Sequence, residues 1–235
     1  MFLYMIRHGE PDYATDSLTE RGMRQAEAVG HRLASAGINR VFSSLLGRAR
    51  QTAEPLCRLT GLPLGIEEWA REIEVEDRVP DGKGGRIGLS LIQNTEYRMG
   101  GAISLGYDSA FDAPRFCESG MRDATHRITR SGDEFLSRLG YEAVDGVYRI
   151  LTPSEDRVAL FCHGVMGRIW IASLLHIPMH LMWAGFRYTH TGVTVLEFKN
   201  NADGFTAPAC LVYSDMSHLS SSPYTDTLYN GTKLI

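Results

Sequence analysis

Two histidines sit in the same local setting. His8 follows the apolar run "FLYMI" and Arg7, His163 follows "RVALFC", and each is succeeded by a glycine, Gly9 and Gly164. An imidazole titrates near neutrality and serves as nucleophile, base or donor. Glycine permits a tight turn and close backbone approach to a ligand, and the amides opening a helix at 165 favour an anion. Arg7 adjoins His8, and Arg48 opens a helical stretch after "RVFSS" at another expected strand end. A guanidinium offers a planar fork of donors that suits phosphate oxygens, so both arginines can face one anion. Arg50, two residues further along the same helix, lies about 200° around the axis and is expected to face water or a carboxylate.

Taken singly, each histidine also fits an ordinary strand-end residue satisfied by hydrogen bonds; the repeated pattern is what favours a site. His8, His163, His190 and His218 are the available metal ligands. No HxH, HExxH or paired-carboxylate spacing supports that use, so neither metal nor other cofactor is expected. The ordinary reading of His190 is structural.

These side chains need elements to position them. "FLYMI" has no helical period and reads as a strand buried on both faces. "LTERGMRQAEAVGHRLASAG" reads as a helix capped by Thr19, with Met23, Ala26, Gly30 and Leu33 along one side and Gly37 at its end. "RVFSS" is a strand. "LLGRARQTAEPLCRLTG" is a helix closed by Gly61, in which Pro55 predicts a kink or interruption. "LPLGI" supplies another strand. From Glu67 to about Glu118 the chain lacks a clear period and is rich in glycine, as in "PDGKGGRIG", so an irregular insertion or lid is expected over about 73–118. A helix over "SGMRDATHRITRSGDEFLSRLG", weakened by Gly132, precedes "RVALFC"; the helix "HGVMGRIWIASLLH" and the strands "GVTVLEF" and "ACLVYS" come after it. Strands alternating with helices predict a three-layer α/β/α sandwich with a mostly parallel central sheet. In open sheets of this kind ligands bind beyond the carboxyl ends of the strands, where the two imidazoles converge if their strands are neighbours.

Composition bounds the function. The 235 residues, without a Pro-, Gly- or Ser-rich linker, are read as one domain, 1–235. A hydrophobic share of 43% with 22% charged residues is ordinary for a globular protein, and no apolar stretch approaches the roughly 20 residues a membrane span needs. The net charge of −4 gives no general attraction to nucleic acid. Cys57, Cys117, Cys162 and Cys210 are widely spaced without a CxxC pair, and the apolar N-terminus lacks the marks of a secretory signal; a cytoplasmic setting is expected.

"RHGE" from Arg7, "LTERGMRQA" at 18–26, "SSLLGRARQTA" at 43–53 and "CHG" at 162–164 resemble, in order, the motifs of the histidine phosphatase superfamily, the phosphoglycerate mutase-like group. "WAREI" at 69–73 and "HL" at 218–219 are weaker matches. The resemblance covers the first third of the chain and the surroundings of His163. It implies a small phosphorylated substrate, with His8 as a nucleophile that becomes phosphohistidine. Arg7, Arg48, His163 and Gly164 would make the phosphate pocket, and Glu72 would carry the proton between leaving group and water. Glu67, Glu68, Glu74, Glu76 and Asp77 crowd Glu72, and the family's usual continuation after the glutamate is missing. Asp12-Tyr13 stand where many relatives carry an asparagine, and His190 where relatives have a small polar segment.

A metal-independent phosphomonoester hydrolase is the leading expectation. A mutase would keep the phosphohistidine and return the phosphoryl group, but "PDYATDSLTERG" is shorter than the usual mutase continuation and lacks its tryptophan. An inactive phospho-ligand binding module is the third alternative. Tyr97, Met99, Tyr107 and Phe111 are read either as apolar contacts to the leaving group or as packing of the insertion. Relatives are often dimers, which leaves a homodimer open.

Overall fold

In the computed structural model, residues 1–220 and the strand segments Leu228–Tyr229 and Thr232–Lys233 are described. The remaining C-terminal positions of the expected 1–235 unit lie outside the described residues. A six-stranded sheet organises the chain: β1 (Phe2–Arg7), β2 (Arg40–Ser43), β3 (Leu64–Ile66), β4 (Arg157–Cys162), β5 (Val193–Glu197) and β6 (Ala209–Asp215), in the spatial order β6-β5-β1-β4-β2-β3. β1, β4, β2 and β3 pair in parallel, while β5 and β6 add an antiparallel margin. The fold is therefore the expected α/β class with a mixed, mostly parallel sheet.

The apolar run of β1 is buried on both faces because helices cover both. Tyr4 and Ile6 pack with Val29 and Leu33 of α1 (Glu20–Ser35) and Leu56 of α2 (Gly47–Thr60). Leu3 and Met5 face the other way, toward Phe135 of α3 (Met121–Arg138), Trp170 of α4 (Gly164–Leu174) and Trp183 of α5 (Met179–Gly185).

Thr19 caps α1 by accepting from the Gly22 amide, and Gly37 comes just after its end at φ +74°. Of the residues expected along its inner side, Ala26, Gly30 and Leu33 are buried, but Met23 is exposed; the buried stripe is completed by Gly22, Gln25 and Val29. Gly30 is needed for close contact, since a Cβ there would stand 2.8 Å from Pro55 Cβ. Of the kink or interruption expected at Pro55, the interruption does not occur: α2 runs through it, with the proline ring buried against α1. Gly132 likewise serves packing: a Cβ would come within 2.1 Å of Trp170 Nε1.

Between β3 and α3 lie two short paired strands, Arg78–Pro80 and Arg86–Gly88, and several 3₁₀ turns. This segment is anchored in the main core by Val79, Leu89, Tyr97, Phe111 and Phe116. A small antiparallel sheet of Tyr141–Val144, Val147–Ile150 and Phe205–Thr206 adds to the expected elements. Its signal is Asp145-Gly146, both at positive φ, the two-residue pattern of a tight hairpin.

Candidate active site

Register brings the two His-Gly segments together. β1 and β4 are adjacent, with Arg7 paired to Cys162, so His8 and His163 leave their strands at the same level. The His8 amide donates to Cys162 O at 3.0 Å, and the imidazole centroids stand 5.2 Å apart. β2 ends beside β4, which puts Ser44 Oγ 2.8 Å from His163 Nε2. His190, just before β5, completes a cluster of imidazoles, its centroid 5.5 Å from that of His8.

The chain leaves β1 under tight control. The Gly9 amide donates to Thr52 Oγ1, and the Glu10 amide to Gln25 Oε1. A Cβ on Gly9 would lie 2.7 Å from Gly22 O, so this glycine allows close contact with the start of α1. Gly164 serves the neighbouring site residue: a Cβ there would meet the Arg7 guanidinium at 3.2 Å. Arg7 Nη1 donates to Tyr188 O at 2.6 Å, and Arg48 Nη1 is ion-paired to Asp16 Oδ1 at 2.5 Å. Asp16 also accepts from the Gly47 amide and so fixes the start of α2. Arg50 is exposed, as its helical angle predicts.

His8 and His163 are almost wholly buried, and their ring nitrogens engage a backbone carbonyl and a serine hydroxyl instead of a carboxylate. Burial, then Arg7, His163 and His190, pulls the His8 pKa well below its ordinary value. Burial, then Arg48 and Arg7, does the same to His163. Both are therefore neutral at physiological pH. The contact of His8 Nδ1 with Gly9 O at 2.7 Å assigns the proton to Nδ1, because a carbonyl only accepts. The lone pair is then on Nε2.

A cavity of about 240 Å³ opens beside this cluster, lined by Arg7, Glu72, Gly164, His190, Arg21 and Arg168 among others. His8, His163 and Arg48 do not line it but lie against its wall: His8 packs on His190, and Arg48 lies 5.5 Å from the ring centroid of Tyr13, another lining residue. Four nitrogens in this small region, Arg7 Nε, Arg48 Nε, His163 Nδ1 and His190 Nε2, are buried without a hydrogen-bond partner among the described protein residues. Buried polar atoms normally find partners, so such a concentration marks a place suited to an oxyanion.

Of the crowded acids at 67–77, Glu72 alone lines this cavity. Its Oε1 accepts from the Met166 amide at 2.9 Å and its Oε2 from the Val165 amide at 3.1 Å. The helix N-terminus expected to favour an anion is thus engaged by the carboxyl group of Glu72. Glu67 is held by Trp69 and Arg138, Glu76 by Arg127. Asp77 lies close enough to Glu72 to interact with it, and burial, then that neighbour, raises its pKa. From the insertion, Ser90 and Leu91 line the cavity; Tyr97 and Phe111 are core residues, Tyr107 stacks on His176, and Met99 is exposed. Asp12 accepts from Ala14 and Thr15 in a local turn.

A probable phosphoglycerate mutase, GpmB, from Salmonella paratyphi A is 35% identical to the chain over 242 residues, covering 96% of this chain and 98% of that protein. The chain belongs to the histidine phosphatase superfamily. Residues 3–78 match branch 1 of the superfamily. Proteins of the same name from other Salmonella strains, such as Salmonella arizonae, match at 35% over 82 residues, 31% of this chain and 38% of theirs. Among solved structures, a mycobacterial glucosyl-3-phosphoglycerate phosphatase superposes with a TM-score of 0.61 at 23% identity, covering 91% of this chain and 98% of that one. A phosphoserine phosphatase from Entamoeba histolytica, solved with phosphoserine, gives 0.60 at 20% identity, covering 93% and 98%. These structural likenesses concern the fold.

For a superfamily member, the cavity holds several residues that the motifs alone do not single out. Arg21 is paired to Glu10 at 3.2 Å, both line the cavity, and both belong to the motifs "RHGE" and "LTERGMRQA". Gln25 lies one turn beyond Arg21, and Arg168 one turn beyond Gly164, so helical spacing from known motif residues was the available signal. His190 had no such signal, because nothing local ties it to β1. Among the described residues, no group of three or more His, Cys, Asp or Glu is arranged to hold a metal, and no helix is long and apolar enough to cross a membrane.

Proposed function

We propose that this superfamily member is a phosphomonoester hydrolase that works through a phosphohistidine on His8, without a metal ion. The observation that carries the reading is the neutral His8, fixed in its Nδ1–H tautomer, beside a concentration of unpartnered buried nitrogens from Arg7, Arg48 and His163.

In the first step the His8 Nε2 lone pair attacks phosphorus and the bond to the ester oxygen breaks. Glu72, in its acid form, gives its proton to the departing oxygen. Arg7, Arg48 and the His163 imidazole donate to the nonbridging oxygens, which need no reorganisation because the protein already holds these groups in place. In the second step the Glu72 carboxylate takes a proton from water, the water oxygen attacks phosphorus, and the P–N bond breaks. Phosphate leaves, and His8 returns neutral with Glu72 protonated. The bond between His8 Nδ1–H and Gly9 O serves both steps by holding the ring in one orientation.

The test is release of phosphate from p-nitrophenyl phosphate in excess chelator. Turnover with a trapped phosphohistidine at position 8 supports the proposal; a chelator-sensitive or phosphohistidine-free reaction sinks it. The name of the Salmonella protein that matches along the whole chain favours a mutase as the second reading. Isomerisation of a monophosphoglycerate, faster than its hydrolysis and dependent on a bisphosphorylated primer, would select that reading. Tight phosphate binding with no phosphohistidine would select the binding module.

A further inference from the structure

His190 is the one member of the imidazole cluster that both lines the cavity and packs on the ring of His8. A phosphoryl group passing from the cavity to His8 therefore travels alongside it. Its Nε2 is buried and has no hydrogen-bond partner among the described residues, whereas His163 is engaged through Ser44 and His8 through Gly9.

The backbone that presents His190 is held from several sides. Thr191, the next residue, has φ +52°, a left-handed conformation that a β-branched residue adopts at a cost of about 1–2 kcal/mol. It is kept there by its amide, which donates to Arg7 O at 3.0 Å, and by its hydroxyl, which donates to His190 O at 2.8 Å. The same hydroxyl accepts from His218 Nε2 at 3.1 Å. His218 is fixed in turn because Arg32 donates to its Nδ1 at 3.2 Å, and Arg32 is ion-paired to Asp215 at 2.6 Å. Local strain held by so many partners is characteristic of a functional position.

We propose that His190 is a catalytic residue that donates an imidazole N–H to an oxygen of the phosphoryl group while that group moves between substrate, His8 and water. This rests on the phosphohistidine reading above and adds a donor to it. Burial, then Arg7 and Arg21, lowers the His190 pKa to about 3, so the ring acts as a neutral donor. A neutral donor strengthens its bond as charge builds on the equatorial oxygens without repelling Arg7 in the free protein. No covalent step passes through His190.

The experiment compares the parent chain with His190→Ala and His190→Asn, the latter retaining an N–H donor. Turnover of p-nitrophenyl phosphate, inhibition by orthovanadate and thermal stability are measured for all three. His190→Ala is expected to lower kcat about 10- to 100-fold with KM changed far less, and to weaken vanadate by a similar factor. His190→Asn should recover most of both losses at unchanged thermal stability. Values of kcat and vanadate affinity within twofold of the parent in His190→Ala overturn the proposal. So do equal losses in both variants accompanied by lower melting temperatures, which mean packing alone. The parent is first tested for phosphohistidine at His8: its absence overturns the hydrolase reading and this inference together, while its presence with a silent His190→Ala overturns only the role of His190.

Discussion

The two His-Gly strand ends look alike in sequence and are used differently. At the β1 end the chain turns into a loop before α1, His8 is fixed by the Gly9 carbonyl, and Gly9 is pressed against the backbone of Gly22. At the β4 end α4 begins at once, His163 is tied to Ser44, and Gly164 borders the Arg7 guanidinium. One end holds its imidazole with the proton on Nδ1 and the lone pair on Nε2; the other ties its imidazole to a serine hydroxyl beside a helix N-terminus that Glu72 occupies. A shared strand-His-Gly pattern delivers an imidazole to the ligand edge, and the loop or helix beyond the glycine decides the use to which that imidazole is put.

The largest effect should separate the two histidines. His8→Ala is expected to lower kcat on p-nitrophenyl phosphate by at least about 10⁴-fold and to abolish the phosphoenzyme, with circular dichroism unchanged. His163→Ala should cost about 10²- to 10³-fold while phosphoenzyme still forms on His8. Equal loss of phosphoenzyme in both variants would break the division of labour. Glu72→Gln should cost about 10²-fold on an alkyl phosphate and much less on p-nitrophenyl phosphate, since nitrophenolate departs without a proton. Equal losses on both esters would remove Glu72 from the proton-donor role.

Both ends should also register in the pH dependence of stability. His8 and His163 resist protonation in the fold, so below the unfolded histidine pKa the unfolded chain binds more protons and stability falls as pH falls. A single histidine of this kind costs about 2 kcal/mol between pH 7 and pH 5, taking an unfolded pKa of about 6.5. Chemical denaturation of His163→Asn should show a shallower decline over that interval than the parent.

The glycines give the smallest and most discriminating contrast. Gly9→Ala meets backbone at 2.7 Å and should destabilise the fold by about 1–3 kcal/mol. Gly164→Ala meets a side chain and should leave the melting temperature nearly intact while raising KM, as the Arg7 guanidinium is displaced. The reverse pattern would exchange the roles assigned to the two turns.

Much of the frame was legible because it is written locally. Double-sided burial of β1, the Thr19 cap, the Gly61 terminus at φ +72° and the strand-helix alternation are consequences of neighbouring residues. Met23 misled because helical spacing alone does not fix the width of the buried stripe, which centres on Ala26, Val29 and Leu33 and leaves Met23 at its edge. Of the two outcomes Pro55 predicted, the interruption does not occur: α2 continues through it, with the ring packed on Gly30 of α1. The insertion looked irregular since its order comes from Tyr97, Phe111 and Phe116 reaching the distant core, a tertiary effect that periodicity does not record.

At the site itself, the sequence alone determined the kinds of group present and the strand ends that carry His8, His163, Arg7 and Arg48, because strand-loop grammar acts over a few residues. The tertiary structure decided that β1 and β4 are neighbours, that Glu72 among six nearby acids faces the cavity, and that His190 stands against His8. Those facts join residues separated by scores of positions, and only the order of strands in the sheet and the packing of side chains between them could fix which distant groups share one small volume.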